Sequence, residues 1–438
     1  MTTSKALFPT LFFLGMTLGH AQGNELNKQI AEAAKKIEPK VIEWRRDFHQ
    51  HPELGNREFR TAEIVAKHLK ALGMEVRTEV GITGVVGLLK GALPGPVVAA
   101  RADMDGLPVT EGNQVPFASK VKTMEEGREV GVMHACGHDS HVAMLMGVAE
   151  ILADMQKDLK GSVKFIFQPA EEGFPKGEQG GARLMVEEGA LENPGVDVIF
   201  ALHNIANVEV GRINYRPGGF FAGVADFKIT VRGKSSHGAE AWSSVDPVVT
   251  AAQIITGLQT IVSRNVNVTK NAASVTVGSI HGGTRSNIIP GEVELIGDVR
   301  YLSDTDEKLI FERVRQIAVK TAEANGAEAI VEMPYTENYP VTFNNEALTA
   351  KMLPSLRNSV GDENVILVPA DTGAEDFSFF ANQVPGFYFT IGGLPKGKDP
   401  LTAASHHTPE FFLDESGFIT GVIAMANLVV DYMAMEGQ

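Results

Sequence analysis

Apolar residues recur at helical spacing near the start of the chain: Ile30, Ala33, Ile37, Val41 and Trp44 share one face, and a second such pattern over Thr61–Leu72 stops at Gly73. The texture then changes to short, nearly continuous apolar runs. Val97-Val98-Ala99-Ala100 leads into Arg101-Ala102-Asp103-Met104-Asp105, Val163–Gln168 into Pro169-Ala170-Glu171-Glu172-Gly173, and Val198–Leu202 into His203-Asn204. Runs of this kind predict strands buried on both faces of a mainly parallel sheet. An apolar stretch from Val142 to Leu152 predicts a helix between the first two, and a strand near Phe387–Ile391 and a last helix over Glu415–Met433 close the chain.

Between about 221 and 334 the pattern differs. Phe227–Val231, Ala273–Ile280, Val293–Tyr301 and Ala329–Glu332 alternate as half-exposed strands do, with helical stretches over Pro247–Ser263 and Asp306–Asn325. The order β-α-β-β-α-β is that of a ferredoxin-like split unit. The expected fold is therefore α/β: a mainly parallel-sheet domain formed by residues 24–220 and 335–438, interrupted by a ferredoxin-like domain over 221–334. No internal repeat or low-complexity tract interrupts it.

Length agrees, since 438 residues are too many for one ordinary core. With 44% hydrophobic and 21% charged residues the composition is that of a soluble globular protein, and the net charge of −15 argues against nucleic acid or an anionic membrane as a main partner. Residues 1–21 read as a secretory signal peptide: Lys5, a largely apolar run from Ala6 to Leu18, then Gly19-His20-Ala21 before a cleavage site. A buried N-terminal helix is the alternative. No later apolar run reaches 18 residues, and a periplasmic or secreted location is expected. In such a compartment the single cysteine, Cys136, has no internal disulfide partner, and left exposed it would oxidise.

That cysteine stands in the densest polar cluster of the chain, Met133-His134-Ala135-Cys136-Gly137-His138-Asp139-Ser140-His141, just before a predicted helix. A thiolate and an imidazole two residues apart suit zinc, manganese, iron, cobalt or nickel better than magnesium or calcium. The bland alternative is a buried free cysteine beside capping polar groups. Density speaks against it, because imidazoles and carboxylates are costly to bury without partners. Asp103, Glu171-Glu172 and His203 all fall just past the C-terminal ends of predicted strands, where open α/β sheets bind ligands. Glu187-Glu188, by contrast, reads as a solvated helix face.

Five motifs together resemble the M20 metallopeptidase family: Arg46-x-x-His49-x-x-Pro52-Glu53-Leu54-Gly55, Arg101-x-Asp103-x-Asp105-x-x-Pro108, His134-x-Cys136-Gly137-His138-Asp139-x-His141, Gln168-Pro169-Ala170-Glu171-Glu172-Gly173 and His407-x-Pro409-x-Phe411. The likeness is to its amidohydrolase branch, which includes hippurate hydrolases, aminoacylase-type enzymes, certain carboxypeptidases and auxin-conjugate hydrolases. It covers essentially the whole chain after the leader. The resemblance implies two divalent metal ions, manganese or zinc in the first place and cobalt or nickel in the second. Cys136 would lie between them, where most of the wider family has a bridging aspartate. Glu172 and His407 would hold one ion, and His138 and His203 the other. Asp103 would orient a ligand imidazole, and Glu171 would act as general base on the water between the metals. His134, His141 and His406 are left out of the ligand set.

The resemblance also makes the inserted domain a lid and dimerisation domain. From it His237 would reach the partner subunit's site to stabilise an oxyanion, and Asn287 and Arg300 would bind the substrate carboxylate. One departure is Ala241-Trp242, where many members of the branch have Pro-His. The expected activity is hydrolysis of an amide bond next to a free carboxylate, in an N-acyl amino acid or a short peptide, by a homodimer. Carboxypeptidase or dipeptidase action with the same machinery is the nearest rival. A binding protein that has lost catalysis is disfavoured by the presence of Glu171 and every ligand, and a metal-storage module would not need Arg300 or Asn287.

Overall fold

The computed structural model describes residues 11–125, 127–336 and 338–436, with side chains from Glu25 onward. The leader expected over 1–21 lies outside the residues described with side chains, and residues 1–10 of it lie wholly outside. The chain forms two compact units, one comprising Met1–Pro217, Asn344–Val368 and Phe379–Gln438, the other Gly218–Phe343 and Pro369–Ser378.

The first unit is built on an eight-stranded sheet in the order Glu75–Val80, Gly84–Lys90, Lys160–Gln168, Leu93–Asp103, Val198–Glu209, Gly386–Leu394, Ile213–Tyr215, Val365–Leu367. Its central pairings are parallel, while the strands at Glu75–Val80 and Gly84–Lys90 add antiparallel pairings at one side. Helices Leu11–Gln50, His138–Asp154 and Phe418–Glu436 share one hydrophobic cluster with the sheet, including Ile30, Val41, Val142, Met146, Phe165, Phe200, Val422 and Leu428. The last of these helices is long and apolar enough to cross a membrane, but it is mostly buried, as a core helix is.

The route of the chain creates a crevice. From Leu93–Asp103 it moves to Lys160–Gln168 on one side, and from Val198–Glu209 it moves to the strands on the other. Pairing between Leu93–Asp103 and Val198–Glu209 ends at Arg101 opposite Ala201, so the two strands part just before Asp103 and His203. This is the switch point where open α/β sheets bind ligands.

The second unit has an antiparallel sheet in the order Ser274–His281, Glu292–Tyr301, Gly223–Arg232, Glu328–Glu332, with helices Pro247–Leu258 and Asp304–Ala324 sharing its core. Chain order and strand order are those of a ferredoxin-like split unit. Asp246 and Ser303 cap the two helices by accepting backbone N–H groups. The boundaries differ from those expected at 221 and 335. Asn338–Tyr339 pairs with Val224 and Ala225, Tyr335 N–H donates to Asp226 O at 2.9 Å, and Ala222 N–H donates to Gly373 O at 2.8 Å. Backbone pairing thus assigns 335–343 and 369–378 to this unit.

Candidate metal centre

Every expected ligand lies in the first unit. Cys136 and His138 flank Gly137, the N-cap residue of helix His138–Asp154, whose φ of 100° suits glycine and whose added Cβ would fall 2.9 Å from Leu413 Cδ1. Glu171 and Glu172 follow the strand Lys160–Gln168 after a turn through Ala170, also left-handed at φ 52°. His203 lies within Val198–Glu209, which runs on to Glu209 rather than ending at Leu202. His407 stands in a loop with φ 63°, and its N–H donates to Ala135 O at 2.8 Å, next to Cys136.

These elements converge. His407 Nε2 lies 3.3 Å from Cys136 Sγ and 2.9 Å from Glu172 Oε1, and His203 Nε2 lies 3.4 Å from the same sulfur. His138 Nε2 is 3.8 Å from Glu171 Oε2 and 3.9 Å from Glu172 Oε1. Donor atoms of Cys136, Glu172 and His407, of His138, Glu171 and Glu172, and of His138, His141 and His203 fall within 4.8 Å of one another.

Hydrogen bonds sort the imidazoles. A carboxylate or carbonyl only accepts, so His138 donates its Nδ1–H to Asp105 Oδ1 at 3.1 Å and His203 donates its Nδ1–H to Asn204 O at 2.6 Å. In the neutral form that metal binding requires, each ring turns an Nε2 lone pair toward the cluster, and His138 Nε2 is buried without a hydrogen-bond partner. His141 is spent, for it accepts from Asn204 N at 3.0 Å and donates to Asp103 Oδ1 at 2.6 Å. His406 accepts from Ala206 N at 3.1 Å, which leaves an N–H facing Cys136 Sγ at 3.6 Å. His134 is buried, and burial pulls its pKa down to about 3.

The electrostatics fit divalent cations. Burial, and after it the Glu172 and Glu171 carboxylates, push the Cys136 thiol well above its usual range. Burial lowers the His138 pKa, yet Asp103 and Asp105 overcome it and raise the value to about 10. An excess of negative charge around a buried thiol and an unpartnered imidazole nitrogen is what a divalent ion would compensate.

One expected role moves. Asp103 comes only within 3.9 Å of His138 Nδ1, and its short contacts are to His141 and to Arg101 Nη1 at 2.6 Å. Asp105 is the carboxylate on the His138 ring. The expectation missed it because both aspartates sit in the same motif, and only the end of the strand at Asp103 separates their directions. A second buried network secures the helix start. His49 lies between Asp139 Oδ2 at 2.7 Å and Glu111 Oε1 at 3.1 Å, and Arg45 Nε lies 3.1 Å from Asp139. Against the effect of burial, these acids raise the His49 pKa.

In the second unit, His237 and Asn287 are brought together: His237 pairs with Ile288, and Gly238 N–H donates to Asn287 O at 2.8 Å. His237 is exposed, and its Nδ1 accepts from Ala239 N at 3.0 Å, so the neutral ring carries its proton on Nε2. Arg300 is held by Asp298 at 2.9 Å and by Thr372 O at 3.0 Å. Trp242 is 83% exposed and does not pack its own domain.

A mainly parallel α/β sheet whose switch point gathers a thiol, imidazoles and carboxylates defines a metallohydrolase. The chain belongs to peptidase family M20/M25/M40, whose model matches residues 99–431, and it is a metal-dependent hydrolase of amide bonds. It is 37% identical over 413 residues to thermostable carboxypeptidase 2 of Saccharolobus solfataricus, covering 93% of this chain and 99% of that protein. It is 36% identical over 403 residues to N-acetylcysteine deacetylase of Bacillus subtilis, covering 91% and 98%. Among solved structures it resembles the Bacillus subtilis YXEP protein, described as a dinuclear metal binding peptidase from the M20 family. That match has 33% identity and a TM-score of 0.74, and covers 91% of this chain and 99% of that one.

Proposed function

We propose that this protein is an exported dinuclear hydrolase that cleaves the amide bond of N-acyl amino acids next to their free carboxylate. The observation that carries the reading is the sorted donor set: Nε2 of His138 and of His203 face the cluster while their Nδ1–H groups are tied off, with Cys136, Glu172 and His407 beside them. In it His138 and His203 would hold one ion, Glu172 and His407 the other, and Cys136 would be shared by both. Manganese or zinc suits this mixed thiolate, imidazole and carboxylate set, with cobalt or nickel as substitutes. When bound, two such ions supply Lewis acidity that acidifies water and polarises the amide carbonyl.

The chain's own groups do the rest. Glu171, buried beside His138, takes a proton from the attacking water and returns it to the leaving nitrogen. His237 offers its Nε2–H to the oxyanion that forms as the carbonyl is attacked, and it does so in the partner subunit of a homodimer. Asn287 and Arg300 bind the substrate carboxylate, the guanidinium held ready by Asp298.

Carboxypeptidase action on short peptides is the second reading, favoured by the Saccharolobus relative. A deacetylase of N-acetylcysteine and a carboxypeptidase both cut an amide bond in a molecule that carries a free carboxylate. Assays of metal-reconstituted protein on N-acetyl amino acids, N-benzoyl amino acids and dipeptides decide between them. Highest kcat/KM on an N-acyl amino acid is expected, preference for dipeptides favours the second reading, and inactivity on all three overturns both.

A further inference from the structure

The segment Pro52–Glu58 has no part in the chemistry above, yet it grips the turn that carries it. Gly106 N–H, one residue past Asp105, donates to Glu53 O at 2.7 Å, and Leu54 bridges to Gly106. Gly55 approaches so closely that a Cβ there would fall 2.0 Å from Gly173 O and 3.1 Å from Ala170 Cβ. Glu58 sits at the N-cap position of helix Phe59–Ala71, but its side chain does not cap that helix. Glu53 does, accepting from Arg60 N at 3.0 Å and Thr61 N at 2.9 Å.

Glu58 is thereby free to turn inward, where it is fully buried. Its Oε1 accepts the Ala170 N–H at 2.8 Å, and its Oε2 shares a 2.5 Å hydrogen bond with the Thr83 hydroxyl. Ala170 is the left-handed residue just before Glu171, a conformation that a residue with a Cβ adopts only when its surroundings hold it there. Burial and the nearby Asp105 carboxylate push the Glu58 carboxyl up to about 8, so it is a neutral hydrogen-bonding group at pH 7.

We propose that Glu58 is a positioning residue for hydrolysis: its side chain bridges Ala170 N–H and Thr83 and so fixes the left-handed turn from which Glu171 and Glu172 project. What matters is its reach, not its charge. The inference rests on the roles given above to Glu171 as base and Glu172 as ligand.

The test compares Glu58→Gln, Glu58→Asp and Glu58→Ala with wild type. The readouts are kcat and KM on N-acetylmethionine and N-benzoylglycine, zinc affinity by titration, and the thermal midpoint of the zinc-loaded protein. Gln keeps the reach without a carboxyl group, whereas Asp keeps the carboxyl group but falls a methylene short. Asp and Ala are expected to lose about 10- to 100-fold in kcat and in affinity for the more weakly held ion, with KM little changed, while Gln stays close to wild type. Loss in Glu58→Gln, full activity in Glu58→Asp, or changes confined to the thermal midpoint would overturn the proposal. If Glu58→Ala does not fold, the contrast between Asp and Gln decides. A wild type inactive on both substrates counts against the N-acyl reading, and the zinc titration of the variants still tests the bridge.

Discussion

Asp105 accepts the backbone N–H of Glu172 at 2.9 Å through Oδ2, while its Oδ1 holds the His138 ring at 3.1 Å. One carboxylate therefore sets the spacing between an imidazole that opens a helix and a carboxylate on the turn after a strand. Asp105→Ala should free both and weaken metal binding by about 10- to 100-fold. Asp103→Ala should act differently, because it removes the carboxylate paired with the buried Arg101 guanidinium and is expected to impair folding before metal binding. Competition of each variant against a chromophoric chelator, alongside its thermal midpoint, separates the two; wild-type affinity in Asp105→Ala would exclude the linking role.

Cys136 Sγ is near both His203 and His407, so Cys136→Ala should deplete both ions rather than one. Metal content by mass spectrometry after dialysis is the measurement. Retention of two ions per chain in the variant would show that the sulfur is not shared.

Glu171→Gln should keep its metals and lose about 10² to 10⁴ in kcat, as expected for removal of a general base. Glu172→Gln should instead lose metal, since its Oε1 lies 2.9 Å from His407 Nε2 within the donor set. Metal analysis paired with kcat on one N-acyl substrate tests both, and the opposite pattern would exchange the two roles.

Much of this centre was legible in the chain because strands buried on both faces read as unbroken apolar runs, and the residues just past their C-terminal ends form the sheet's ligand edge. Glu171-Glu172 was found that way, whereas Asp103 is the last residue of its strand and His203 lies inside one that runs on to Glu209. The strand Gly84–Lys90 was not, since glycines at 84 and 87 interrupt its run although Val85, Val86, Leu88 and Leu89 are buried. Nor were 335–343 and 369–378 assigned to the second unit, because backbone pairing joins them to it and leaves no side-chain period. The choice of Asp105 over Asp103 depends on where a strand stops, which two carboxylates spaced i and i+2 do not reveal. The glutamate that holds Ala170 was invisible for a related reason: its place at a helix start suggests a cap, and only the capping by Glu53 releases it inward.

Glu58 also sets a pH dependence of stability. Its folded value of about 8 lies above the ordinary 4.5, so between those values the folded protein holds a proton that the unfolded chain releases. Stability contributed by this group is fully present below 4.5 and is lost as pH rises through about 8. Relative to Glu58→Gln, which has no such proton, metal-free wild type should lose about 1.4 kcal/mol per pH unit across that window. Urea midpoints of the two chelated proteins at several pH values check this, and parallel curves would show that Glu58 ionises normally.

His237 is exposed, lies in the second unit and presents an Nε2–H, which suits a donor that serves the partner's site in a two-fold dimer. His237→Ala should then keep its metals and lose about 10² to 10³ in kcat, the effect of removing one oxyanion donor. Glu171→Gln should be inactive for a separate reason, the loss of the base. When the two variants are co-expressed at equal levels, about half of the dimers are mixed by random pairing. In each mixed dimer two-fold symmetry gives one site an intact Glu171 from one chain and an intact His237 from the other, and the second site neither. About a quarter of wild-type activity should return to the co-expressed sample, and about half to mixed dimers isolated with two affinity tags. If the isolated mixed dimers are as inactive as the parents, His237 serves no partner site, and dimerisation has no role in the chemistry.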